Sequence, residues 1–112
     1  MSRKASGFRA WLIQRISAIY LAIYFVYLFA HFAISSPADY EQWRMWLADP
    51  VISISLALFF LSLLMHAWIG ARDVVIDYVH PLSIRLTALT AIAILLVGCG
   101  FLVLRTLILV AL

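Results

Sequence analysis

The feature that most constrains this chain is a set of three long apolar runs, roughly Trp11 to Ile34, Pro50 to Gly70 and Leu82 to Leu112. Each reaches the ~20 residues that a helix needs to cross the hydrocarbon of a bilayer. Inside hydrocarbon no water satisfies the backbone, so runs of this length resolve as helices. Pro, Asp, Glu and Arg cluster in the interruptions, which are the basic start, Ser35 to Asp49, and Arg72 to Pro81. With 67% hydrophobic and 12% charged residues in 112, the chain lacks the surface of a soluble domain, in which about 25% are charged. The expected fold is all-α and integral to the membrane, one domain over residues 1–112 with transmembrane helices near 11–34, 50–70 and 82–112. Three helices enclose little interior, so they are expected to complete a bundle with a partner membrane protein.

Charge placement supports the spans. Arg85 and Arg105 stand 20 residues apart, about 30 Å of helix, which suits side chains snorkelling to opposite interfaces. Asp49 is a good N-cap, Pro50 fits a first turn, and Gly70 suits the far end of the second span. Arg3, Lys4, Arg9, Arg15, Arg72 and Arg85 fall on one side of the membrane and only Arg44 and Arg105 on the other. The positive side predicts a cytoplasmic N-terminus and a C-terminus outside, in the periplasm for a bacterial inner membrane. Trp11, Trp43, Trp46 and Trp68 fall near span ends, as interfacial anchors should.

The same pattern excludes several functions. The net charge of +3 is scattered between apolar runs and forms no basic stripe for nucleic acid. Cys99 is the one cysteine, which rules out an internal disulfide, a CxxCH haem attachment and a cysteine-ligated iron–sulfur cluster within the chain. Four scattered glycines make no phosphate loop for a flavin or dinucleotide. The first apolar run is too long for the core of a signal peptide and reads as a retained helix.

Polar residues inside the spans need partners. Ser55, Phe59, Ser62, His66 and Gly70 recur along one stripe of the second span, and Tyr20, Tyr24, Tyr27 and His31 along one stripe of the first. Thr87, Ala91 and Gly98 offer small surfaces on the third. His66, about one turn inside its helix end, is either a metal ligand through a neutral imidazole nitrogen or a helix-packing histidine. His31 sits near the opposite face, so one haem cannot bridge the two, and the interfacial role suits it better. Arg15 either pairs with an anionic group, such as a haem propionate or lipid phosphate, or snorkels. Tyr78 beside Asp77 is either a phenolic donor to a lipophilic carbonyl compound such as a quinone or a member of the aromatic belt.

These residues form the string His66-Ala-Trp-Ile-Gly-Ala-Arg-Asp-Val-Val-Ile-Asp77-Tyr78-Val-His-Pro81. It resembles the small hydrophobic membrane-anchor protein of bacterial succinate dehydrogenase, respiratory complex II, and the Arg15 region, Tyr40-Glu-x-Trp43 and the three-span layout agree. The resemblance covers nearly the whole chain and is weakest before Phe8 and after Arg105. It implies that His66 ligates the iron of a haem b shared with a second anchor protein, the cytochrome b partner of the complex, with Arg15 near the propionates. It implies that Tyr78 hydrogen-bonds a ubiquinone carbonyl and that Asp77 supports its protonation, in the bacterial inner membrane. FAD and iron–sulfur clusters would belong to a flavoprotein and an iron–sulfur protein, which oxidise succinate in the tricarboxylic acid cycle and pass electrons to the quinone. Arg9-Ala10 occupies the place of a histidine–acid pair in some members, so a proton path through that pair is not carried over, and Arg72 and His80 receive no role.

Two other readings compete. A purely structural anchor would use His66 and Tyr78 only for helix contacts. A small oligomeric transporter would need a polar pathway through the bilayer, whereas the acidic residues are expected in loops.

Overall fold

The computed structural model describes residues 3–111, with side chains from Gly7 to Val110. The side chains of Arg3 and Lys4, and all of Leu112, lie outside the described residues. The chain runs as α1 (Arg3–Ile34), α2 (Tyr40–Ala48), α3 (Pro50–Tyr78) and α4 (Leu82–Ala111), with no strand among the described residues. The three long helices are each apolar and long enough to span a bilayer, so the expected all-α membrane architecture holds.

Helix α3 is central. It packs against α1 on one side and α4 on the other. The first flank is a polar seam. Tyr20 Oη donates to the Ser55 carbonyl at 2.9 Å, and Tyr24 Oη meets Ser55 Oγ at 2.7 Å. Ser55 Oγ also reaches the Ile52 carbonyl, to which it donates at 3.0 Å, and with its proton there the Tyr24 hydroxyl is the donor to Ser55. The two stripes expected to seek protein therefore find each other. Opposite, the α3–α4 flank is apolar and close: a Cβ on Gly100 would stand 3.1 Å from Leu64 Cδ1.

The break from Ser35 to Asp49 is not simply a loop. Its latter part is α2, which starts where Asp39 Oδ1 accepts the Gln42 N–H and Gln42 Oε1 accepts the Ala38 N–H, both at 2.9 Å. Such reciprocal capping satisfies amides that would otherwise be orphaned. The helix lays Leu47 against α3 and α4, in a buried cluster with Tyr24, Leu56, Phe59 and Val110. Trp43 and Trp46 pack on that cluster rather than serving only as interfacial anchors.

A second difference lies at the other end. Asp49 caps α3 by accepting the Val51 N–H at 2.9 Å, and Pro50 opens the helix, as expected. Gly70 does not end it, because no residue before Pro81 prevents the next turn, and α3 continues to Tyr78. Its 29 residues give ~44 Å of helix, so the turns after Gly70 stand beyond a ~30 Å hydrocarbon layer entered at Pro50. Arg72, Asp73, Asp77 and Tyr78 are therefore helical, and only Val79, His80 and Pro81 connect to α4. The acidic residues do not all lie in loops either: Glu41, Asp73 and Asp77 are on helices.

The interior is thin. The chain exposes 8228 Å², whereas a soluble protein of its mass exposes about 6,200 Å². Among the described residues no large side chain is fully buried, and Phe25, Val26, Phe29, Ile94, Phe101 and Leu109 are all more than 60% exposed. That apolar surface requires lipid or other membrane helices as its solvent.

Candidate cofactor and quinone site

The α1–α3 seam continues past the tyrosines towards Gly70 and reaches His66. Ser17, buried on α1, places Oγ 3.2 Å from His66 Nδ1 and donates to the Gln14 carbonyl at 3.1 Å. A hydroxyl has one proton, and here it is spent on the carbonyl. With that proton on the carbonyl, Oγ accepts from the imidazole in its Nδ1–H tautomer, which leaves Nε2 with its lone pair. Nε2 has no hydrogen-bond partner among the described residues. This is the state an axial metal ligand needs, with one nitrogen free and the other anchored by a hydrogen bond.

Among the described residues no three His, Cys, Asp or Glu side chains gather around one point. Haem iron makes a different demand, since its macrocycle supplies four ligands and the protein one or two. One anchored imidazole fits that group. Gln14 adds a buried Oε1 without a partner among the described residues, and its Nε2 would lie 3.5 Å from a Cβ on Gly70, one turn from His66. Beside this seam an open groove is lined by Ile13, Ile16, Tyr20, Leu58, Ser62 and Met65.

The other expected site residues are not brought to His66 by the chain alone. Arg15 lies on the outward side of α1, with its guanidinium 5.7 Å from the centre of the Trp11 ring, a cation–π contact one turn away. Tyr78 follows His66 on the same helix by three turns and more, which puts it ~18 Å further along the axis, with Asp77 beside it. Both are exposed, Tyr78 at 78%, and neither has a hydrogen-bond partner among the described residues. His31 belongs to the opposite end, stacked on Trp46 with ring centres 4.7 Å apart.

Ser17 is a site residue that the sequence stripes, as drawn, leave out. Its signal is the spacing Ser17, Tyr20, Tyr24, Tyr27, His31, steps of three and four that extend the α1 stripe by one member. Arg85 does not snorkel as its position in the sequence suggests. Instead its Nε donates to the Val79 carbonyl at 2.9 Å and its Nη2 to the Ile76 carbonyl at 3.0 Å.

Three spanning helices, a polar seam ending in an anchored imidazole, and an apolar exterior define a multi-pass membrane protein with a surface left for other chains. The sequence model of the succinate dehydrogenase/fumarate reductase transmembrane subunit matches residues 1–104. The chain is similar, at 36% identity over 92 residues, to the succinate dehydrogenase hydrophobic membrane anchor subunit of Coxiella burnetii (strain RSA 493 / Nine Mile phase I), an alignment covering 82% of this chain and 80% of that one. The chain belongs to the family of succinate dehydrogenase/fumarate reductase transmembrane subunits.

Proposed function

We propose that this chain is the membrane anchor of a succinate:ubiquinone oxidoreductase, holding haem b jointly with a second anchor protein and forming part of the ubiquinone-reducing site. The observation that carries the haem assignment is the Ser17–His66 pair, because it anchors Nδ1 and leaves Nε2 free. Bound there, haem would supply a one-electron redox centre, with His66 Nε2 as this chain's ligand to its iron and the second anchor protein completing the pocket. Arg15, outward on α1, offers its guanidinium to a propionate at the surface that meets the partner.

The quinone role rests on Asp77 and Tyr78, exposed on the last turn of α3 beyond the hydrocarbon. Reduction places negative charge on the quinone oxygens, and a phenolic donor stabilises that charge more than it stabilises the starting carbonyl. The Tyr78 hydroxyl donates to one carbonyl, and the Asp77 carboxylate moves protons from the aqueous edge. That edge is the cytoplasmic one, given the basic residues beside it. The flavoprotein and the iron–sulfur protein dock there, in the inner membrane of a bacterium, and hold the FAD and the clusters. The exposure of Tyr78 supports this reading, since a side chain 78% exposed has a free surface for the quinone and the docking proteins.

The purely structural anchor has its own supporting observation, since the bond to Ser17 already gives His66 a helix-packing role. The two readings separate in the assembled complex purified with His66→Ala. Loss of the haem spectrum supports ligation, and an unchanged spectrum leaves only packing. With Tyr78→Phe, quinone turnover relative to succinate oxidation by a soluble dye should fall. Parallel loss of both activities would mean failed assembly and no quinone contact.

A further inference from the structure

Tyr78 has an exposed side chain with no hydrogen-bond partner among the described residues, so its direction is set by its backbone. That backbone lies where α3 should fray. Pro81 has no N–H to give the Asp77 carbonyl and disfavours helical geometry at His80, whose N–H would otherwise serve the Ile76 carbonyl. The last helical bond is Val79 N–H to the Val75 carbonyl at 2.9 Å. Beyond it the carbonyls of the final turn depend on other donors.

Arg85 supplies them from the first turn of α4. Its guanidinium bridges the Ile76 and Val79 carbonyls, one before and one after the Asp77–Tyr78 pair, at 3.0 and 2.9 Å. Its own backbone is fixed by the Arg85 N–H to the Pro81 carbonyl at 2.9 Å, so the reach from α4 to α3 spans a closed, short connection. Both bonds are charge-assisted, and the positive group sits at the negative end of the α3 dipole. A lysine has the charge but lacks the planar fork that serves two carbonyls at once.

We propose that Arg85 is a positioning residue for the quinone site, holding the α3 terminus so that the Tyr78 hydroxyl meets its carbonyl partner. The inference rests on the reading of Tyr78 as the quinone donor. Arg85 touches no quinone and acts through the Ile76 and Val79 carbonyls.

The test uses the assembled complex with decylubiquinone as acceptor, each rate normalised to dye-coupled succinate oxidation as a measure of assembled enzyme. Arg85→Gln is expected to lower the quinone kcat/KM about tenfold, as misplacement of a group that acts on the quinone does. In a Tyr78→Phe background the same change should add less than about twofold, because the group it positions is already gone. Arg85→Lys should fall between wild type and Arg85→Gln. An unchanged kcat/KM, or an Arg85→Gln effect of the same size with and without the Tyr78 hydroxyl, overturns the proposal. If Tyr78→Phe alone changes neither quinone KM nor kcat, the underlying assignment of Tyr78 fails instead, and the inference fails with it. Should Arg85→Gln not assemble, Arg85→Lys carries the test, a lowered kcat/KM supporting the positioning role and a wild-type kcat/KM overturning it.

Discussion

Ser17 and His66 lie 49 residues apart in sequence, yet Oγ and Nδ1 meet at 3.2 Å across the α1–α3 seam. Through that contact a small α1 residue fixes the ring of the proposed ligand on α3. Removing a hydrogen-bond partner of this kind lowers metal-site affinity by about 10- to 100-fold. Ser17→Ala should therefore weaken haem retention by that order, measured as transfer of haem from the purified complex to a scavenging protein. Ser17→Thr, which keeps the hydroxyl, should retain most of it. Equal retention in all three proteins would reduce Ser17 to a packing residue.

Two glycines on α4 make opposite predictions. A Cβ on Gly100 would stand 3.1 Å from Leu64 Cδ1, whereas nothing lies within 4 Å of one on Gly98. Leu64 Cδ1 is the far end of a flexible side chain, so Gly100→Ala should be tolerated. Gly100→Leu overpacks the α3–α4 contact and should destabilise the chain by about 1–3 kcal/mol. For the isolated chain in detergent, thermal unfolding should show this loss with Gly100→Leu and none with Gly98→Leu. If Gly98→Leu harms only the assembled complex, Gly98 lies under a partner helix.

Much of this architecture is legible in the sequence, and the failures share one cause. Span number, the Asp49–Pro50 start of α3 and the pairing stripes all follow from periodicity and capping, which are local signals. Gly70 looks like a stop because hydrophobicity falls there, but polarity marks the edge of the hydrocarbon and not the end of a helix. The true stop is the missing N–H of Pro81. Helix α2 is announced by Asp39 and Gln42 at capping-box spacing, a signal masked by the surrounding break in hydropathy. The Ser17–His66 bond and the Arg85 clamp are tertiary: each depends on the angle at which one helix meets another, which no local pattern encodes.

The Glu41–Arg44 pair on α2 gives a pH prediction of small size. The Arg44 guanidinium, hydrogen-bonded to both carboxylate oxygens, holds the Glu41 carboxyl below its ordinary value. A carboxyl lowered in the folded state stabilises it above the unfolded-state value near 4.5, and that contribution disappears as pH falls through the folded-state value. Both side chains are well exposed, so solvent screens the pair. Thermal midpoints of wild type and Glu41→Gln should overlay at neutral pH and remain together on acidification. A gap that is clear at neutral pH and closes in acid would instead give this surface pair a structural role.

Trp46 ties α2 to the end of α1 and separates ring packing from hydrogen bonding in one residue. Its ring stacks on His31 at 4.7 Å with planes 12° apart and meets Phe32 edge-on at 5.3 Å. Yet its indole Nε1 is buried without a partner among the described residues. Each aromatic contact contributes roughly 0.5–1.5 kcal/mol, whereas a buried donor left unpaired costs about 1–3 kcal/mol. Trp46→Phe gives up some ring area but also removes the unpaired donor, so stability should stay within about 1 kcal/mol of wild type. Trp46→Ala loses both ring contacts and should cost about 1–3 kcal/mol, together with faster amide exchange across α2. Chemical unfolding in detergent with hydrogen exchange on Tyr40–Ala48 checks both. If Phe proved as damaging as Ala, the indole N–H would have to be bonded in the membrane to a group outside this chain, and the α2 end of the bundle would become a contact site in its own right.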